Sequence, residues 1–401
     1  MSRPPVALYI HFPFCLSLCP YCDFVVYAGK NARGPNSRVA ALVDALVKEI
    51  SLRAATARSP LGSVYFGGGT PSLLHPAQVG RLLAAADSAF GVATAAEVTL
   101  EANPGPGERG DMPGFRAAGV NRLSIGAQSF IPAELRRLGR RHSPADVAET
   151  VAEAQRANIA NVSLDLLYDV PGQTLESWSV SLHAAIALGP DHVSAYSLSL
   201  DDPDDEGLTP EVGDHLPLRP GARRWRARAR REQDADRAAE MYLLADEILG
   251  KAGHEWYEIS NWAYPGSESR HNLVYWRGDA WEAVGPGAHA FDGHRTRRWN
   301  AAHLGRYMDA LARDEMPPGQ DLVSDLAAAA SDRAILHLRT RDGLQPRSCS
   351  NPAFVPAIAW GRAWGLLEPK PDGGVRLTRR GRLLSNELFV RLLPVQAESA
   401  A

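Results

Sequence analysis

Through its first two hundred residues the chain alternates short runs of branched and aromatic residues with longer stretches in which alanine and leucine recur at helical spacing. The short runs lie at 6–12, 63–66, 97–101, 122–125, 162–168 and 192–198. Together they are rich in Val, Ile, Leu and Tyr, as strands buried on both faces of a parallel sheet are. The helical stretches fall between them, at 37–58, 76–90, 110–118, 145–158 and 175–188. Gly119 and Gly189 stand just past two of these, where a helix terminates. Six strand–helix units in succession predict a parallel α/β architecture. Six is fewer than the eight of a closed barrel, so the pattern admits an open partial barrel or a doubly wound sheet.

The alternation then breaks. Residues 201–207 are acidic, and 219–231 hold seven arginines. Opposite charge blocks in tandem read as a solvated connector. An amphipathic helix is expected at 234–249. From 256 to 299 the chain is rich in Trp, Tyr, Gly and His, a mixture that suits site-bearing loops. Residues 325–401 predict a small α+β domain: helices near 327–340 and 352–364, then a hairpin turning at Asp372, Gly373 and Gly374. Two helices and a hairpin resemble a winged helix. The expected division is 1–233, 234–320 and 321–401.

Composition adds little except by exclusion. The chain has 401 residues, 45% hydrophobic and 22% charged, with a formal charge of −3. Those fractions exclude global disorder and a disulfide-stapled miniprotein. No run of eighteen apolar residues predicts a transmembrane helix. The near-neutral charge offers no reason to expect a nucleic-acid partner. The opening segment runs into Cys15 without a small-residue cleavage site, so a cytoplasmic location is expected, with peripheral membrane attachment left open.

Three of the four cysteines, Cys15, Cys19 and Cys22, form a CxxxCxxC directly after the first strand. Three thiolates on one short loop can hold three irons of a [4Fe–4S] cube and leave the fourth iron open to a ligand. Structural zinc with His11 as fourth ligand competes, but its usual spacing pairs CxxC motifs. A disulfide is disfavoured in a reducing compartment. After the second strand comes Gly67-Gly68-Gly69-Thr70, a turn that lets backbone approach a ligand closely. Later strands each deliver a polar group at or near their carboxyl ends: Glu101, Gln128, Arg140 and Asp165. Active sites of α/β folds gather at those ends.

The segment from Tyr9 through Cys15, Cys19, Tyr21 and Cys22 resembles the radical S-adenosylmethionine (SAM) superfamily. The ordered series FGGGTPSLL, EANPG, RLSIGAQSF, LGRRH and VPGQT is similar to its coproporphyrinogen-oxidase-like branch, over nearly the whole chain. The resemblance implies a partial (β/α)6 TIM-like barrel with a small C-terminal winged-helix-like domain. It implies a [4Fe–4S] cluster on Cys15, Cys19 and Cys22, whose open iron binds SAM. It implies SAM contact by Tyr9, Tyr21, Gly68, Gly69, Thr70, Glu101, Gln128, Arg140 and Asp165. Asp169 departs from the branch, which usually places glycine there.

The branch contains oxidases that decarboxylate coproporphyrinogen III and haem chaperones that carry haem to apo-haemoproteins. The oxidases have a further cysteine two places after the third, where this chain has Phe24. They also carry a sizeable segment before the first strand. The chaperones carry an HNxxYW motif, here His271, Asn272, Tyr275 and Trp276. The resemblance therefore implies haem binding, with His271 as axial ligand or its support and Tyr275 and Trp276 packing the macrocycle. The implied partners are haem and an apo-haemoprotein acceptor, membrane-bound acceptors included. A homodimer is left open, as is coproporphyrinogen oxidation.

Overall fold

The computed structural model describes residues 3–34, 37–54, 59–200 and 213–394. All six expected runs are strands: β1 (Ala7–Phe12), β2 (Leu61–Gly68), β3 (Val92–Ala102), β4 (Arg122–Gln128), β5 (Asn161–Tyr168) and β6 (His192–Ser197). They pair in parallel in sequence order. The intervening helices are α1 (Val39–Leu52), α2 (Pro76–Phe90), α3 (Met112–Ala118), α4 (Pro132–Arg137), α5 (Pro144–Arg156) and α6 (Leu175–Ala187). Ser143 and Thr174 start α5 and α6 with reciprocal capping boxes, and Gly119 ends α3 at φ +114°. The periodicity did not announce α4, because one and a half turns are too few to show a period.

Strand alternation divides the two faces. Leu8, Ile10 and Phe12 of β1 pack with Leu42, Leu46 and Ile50 of α1 in the main core. Tyr9 points the other way, toward Trp281 and Ala283. The fold is a partial barrel: inward side chains from β2 to β6 line one common cavity, so the sheet curves around it. Two separate halves about a switch point, as in a doubly wound sheet, are not what the strand order shows.

The extension supplies α7 (Pro220–Ala229), α8 (Ala235–Lys251), β7 (Glu255–Glu258), β8 (Asn261–Ala263), α9 (Arg270–Arg277), β9 (Trp281–Val284), β10 (His289–Phe291), β11 (Thr296–Asn300), α10 (Leu304–Ala312) and β12 (Gly319–Val323). Its strands lengthen the sheet on both edges, giving the order β12-β11-β10-β9-β1-β2-β3-β4-β5-β6-β8-β7. Since β8 lies beside β6 and β9 beside β1, the chain between them crosses the mouth of the barrel. That crossing carries α9. Beyond it, α11 (Leu326–Leu338), a helix at Val355–Ala363 and a hairpin of Leu367–Pro369 with Val375–Leu377 share an apolar core of their own. The hairpin turns as expected, with Gly373 at φ +86° and Gly374 N–H bonded to Asp372 Oδ1 at 2.9 Å. No helix among the described residues is long and apolar enough to cross a membrane.

The arginine-rich stretch is solvated as expected at six of its seven arginines, but it is more than a connector; the acidic run beside it lies outside the described residues. Arg226 is 4% exposed and donates from Nη2 to the Tyr21 carbonyl at 2.7 Å. Trp225 leans on the Tyr21 ring and donates to the Arg137 carbonyl at 3.1 Å. Helix α7 therefore clamps the cysteine loop from outside. Charge density did not reveal this, since arginine stems pack and its head satisfies carbonyls that water cannot reach. Arg226→Ala leaves the Tyr21 carbonyl unpaired, at a local cost of about 1–3 kcal/mol. The expected result is faster cluster loss to an iron chelator, followed by the bleaching of its visible absorption. An unchanged rate would show that the clamp does not govern the loop.

Candidate functional site

The cysteine loop leaves β1 at its carboxyl end. Its first residues, Phe14 and Cys15, pair in parallel with Tyr27 and Ala28, which returns the chain to α1. The glycine turn after β2 fits beneath it. A Cβ on Gly69 would stand 2.6 Å from the Phe14 carbonyl oxygen, and one on Gly68 would meet the His11 ring. Thus Gly69 admits the cysteine loop itself and Gly68 the His11 ring of β1, tighter demands than admitting a ligand.

Cys15, Cys19 and Cys22 border a cavity of about 420 Å³. Gly68, Gly69, Glu101, Gln128, Arg140, Asp165 and Tyr21 line it as well. So seven of the nine residues assigned to SAM meet the three thiols around one space. Thr70 does not line it. It is buried, donates to Cys15 Sγ at 3.4 Å and accepts from Asn103 Nδ2 at 2.8 Å. Tyr9 lies outside too; its hydroxyl bonds His11 Nδ1 at 3.0 Å and its ring faces a second cavity. Thr70 thus positions a cysteine, and Tyr9 belongs to a wall, stacked on Tyr65 of the first cavity.

The polar groups are held from behind. Glu101 accepts from Tyr65 Oη at 2.8 Å and from Gly68 N–H at 3.0 Å. Burial pushes its carboxyl up to about 7 against those two bonds. Asp165 accepts from Ser124 at 2.9 Å and is likewise raised, burial outweighing its serine partners. Among the described residues neither forms an ion pair, so each keeps acceptor capacity toward the cavity. Gln128 reaches it from a left-handed residue, φ +66°, at the end of β4. Arg140 bonds Asn103 Oδ1 at 2.5 Å and the Gly126 carbonyl at 2.8 Å, with Nη1 3.7 Å from Cys19 Sγ. Asn103, Ser124, Ser194 and Tyr196 also line the cavity and were missed. Asn103 stands in the quoted EANPG, two residues after Glu101, on the same side of an extended chain.

The thiols suit a cluster. Burial raises Cys15 to about 11 against the Thr70 hydrogen bond, and raises Cys22 as well. Thiols so buried ionise when iron supplies the opposing charge. Among the described residues no three His, Cys, Asp or Glu side chains converge as ligands of one metal ion would. A cubane instead asks for thiolates spread around it, one per iron.

Helix α9, with the HNxxYW motif, seals the amino-terminal mouth of the barrel. Glu97 of β3 accepts the N–H groups of Arg270 and His271 at 3.0 Å each, at the positive end of the helix. His271 is fully buried. Its Nδ1 meets Ser63 Oγ at 2.9 Å and its Nε2 meets Tyr275 Oη at 2.8 Å. Burial lowers its imidazole to about 3, so it is neutral. With both nitrogens engaged, His271 is not placed to ligate iron directly, which leaves the supporting role of the two expected for it. Asn272 turns into the first cavity, and Tyr275 into the second. Trp276 lines neither of these cavities; the Arg339 guanidinium lies 5.8 Å over its ring.

The radical SAM superfamily model matches residues 9–185. The chain is 39% identical over 396 residues to the heme chaperone HemW of Mycobacterium tuberculosis, covering 98% of this chain and 96% of that one. It is 34% identical over 319 residues to HemW of Escherichia coli, covering 77% and 79%. The solved structure of coproporphyrinogen III oxidase (HemN) from Escherichia coli, a radical SAM enzyme, shares the fold: TM-score 0.77, 22% identity, 97% of this chain and 90% of that one. Radical SAM membership implies SAM and a [4Fe–4S] cluster. With sequence likeness that runs the length of the chain, and with the barrel and its thiol-lined cavity in place, this chain belongs to the HemW family of radical SAM proteins.

Proposed function

We propose that this protein binds haem and delivers it to apo-haemoproteins, and that it carries a SAM-binding [4Fe–4S] cluster. The observation that supports the reading most is the likeness to a heme chaperone over 98% of the chain. Phe24, where the oxidases of the branch have a cysteine, favours it further. In this reading Cys15, Cys19 and Cys22 hold the cluster. Thr70 and Arg140 brace two of those sulfurs. Glu101 and Asp165 accept the ribose hydroxyls of SAM, and Gln128, Tyr21 and the Gly68–Gly69 turn bound the nucleoside. Bound together, cluster and SAM supply one-electron chemistry. The residues around them exclude water and set the geometry.

Protein reconstituted anaerobically should take up haem in a saturable way and pass it to an added apo-haemoprotein such as apomyoglobin. With coproporphyrinogen III, SAM and a reductant it should form no protoporphyrinogen IX. Conversion at a catalytic rate, without haem retention, would establish the oxidase alternative instead.

A further inference from the structure

The second cavity, of about 540 Å³, is lined by Tyr9, His11, Phe24, Tyr275, Trp281, His289 and Arg297 among others. That volume is within the range of about 300–1,000 Å³ of small-molecule sites. The aromatic chain Tyr65, His271, Tyr275 and Trp281, with successive ring centroids 5.0, 5.1 and 4.7 Å apart, runs from the first cavity to the second. Asp23 and Phe24, just past the third cysteine, border both spaces. Phe24 is 62% exposed. The cavity therefore offers flat apolar rings beside the cluster loop.

Three imidazoles face it, and they differ. His11 is committed on both sides, to Tyr9 Oη at 3.0 Å and to the Val25 carbonyl at 2.9 Å. His215 is held 3.2 Å from Asp214 Oδ1. His289 sets its Nε2 2.7 Å from Asp214 Oδ2. No hydrogen bond to its Nδ1 occurs among the described residues, and its side chain is 35% exposed. An imidazole with one nitrogen on a carboxylate and the other open is the arrangement found around metal-binding histidines, where the carboxylate fixes the tautomer and raises basicity. The hydrogen bond to His289 holds Asp214 below the usual carboxylate range, so it is ionised at neutral pH. Arg297 is exposed on β11, and its guanidinium makes no ion pair or hydrogen bond among the described residues. A free guanidinium suits a carboxylate.

Resting on the haem reading above, we propose that the second cavity is the haem site, with His289 as the axial ligand, Asp214 orienting it, and Arg297 receiving a propionate. The macrocycle packs on Tyr275, Trp281 and Phe24. The HNxxYW motif then acts through the wall: His271 holds Tyr275 in place and touches no iron.

The test is anaerobic titration of cluster-loaded, full-length protein with hemin, read by the Soret band and by retention on gel filtration. Wild type should saturate near one haem per chain. His289→Ala should lose at least tenfold in affinity and shift the Soret maximum, with the iron–sulfur absorption kept. Asp214→Asn, which retains the imidazole, should weaken retention less. His271→Ala should keep the wild-type Soret position even if affinity falls. Wild-type affinity and Soret position in both His289→Ala and Asp214→Asn would overturn this site and leave haem binding standing. No saturable binding by wild type would overturn the haem reading itself.

Discussion

Replacing Cys15, Cys19 or Cys22 by alanine is expected to abolish the [4Fe–4S] cluster. Reconstituted iron should fall from about four per chain toward zero. The physical basis is that each thiolate holds a different iron, so losing one leaves two corners of the cube open in a partly wet cavity. Cys349→Ala should keep full iron content, because that residue packs against the C-terminal core. Iron assay and the SAM-dependent change in the cluster's electron paramagnetic resonance spectrum check both halves. Stoichiometric zinc, with no iron after reconstitution, would refute the assignment. So would a full cluster in Cys22→Ala.

The second large effect concerns SAM. Glu101→Ala and Asp165→Ala are each expected to weaken binding by roughly 5–150-fold, the equivalent of about 1–3 kcal/mol per buried polar contact. Glu101→Gln should lose less, since an amide oxygen still accepts. Burial places the Glu101 carboxyl at about 7, so protonation removes its charge below that pH. An ionised carboxylate is the better acceptor for a hydroxyl, so wild-type SAM affinity should rise as pH rises through about 7. The Glu101→Gln profile should be flatter across that range. Calorimetric titration of the reconstituted protein measures both. Unchanged affinity in Glu101→Ala and Asp165→Ala would remove these carboxylates from the site.

Asp169 illustrates how the two levels of description meet. The residue stands at φ +55°, a conformation that favours glycine and that aspartate tolerates better than most. Its carboxylate accepts from Arg237 Nη2 of α8 at 2.6 Å and is nearly buried. The departure from the branch's glycine thus trades backbone ease for an ion pair to a helix. The sequence marks the position as unusual, but the partner lies 68 residues away.

Local signals were enough for the strand–helix alternation, though not for choosing a partial barrel over a doubly wound sheet. Strand and helix periods, capping boxes and stop glycines depend on neighbours within a few residues, and all six strands lie where their apolar runs lie. The cysteine spacing and the polar groups at strand ends were legible for the same reason: strand direction alone sends them to one rim. What folding decided was adjacency between distant segments. One arginine of a charged stretch, Arg226, became a clamp on the Tyr21 carbonyl. Thr70 turned toward a cysteine, and Tyr9 toward the far side of a wall. His271, attractive as a ligand by residue type, is sealed between Ser63 and Tyr275, while His289, unremarked in the sequence, stands open beside Asp214. Residue type states what a side chain can bond. Only the packing of β9 to β12 against β1, and of α9 across the barrel mouth, determines which of its bonds are already made.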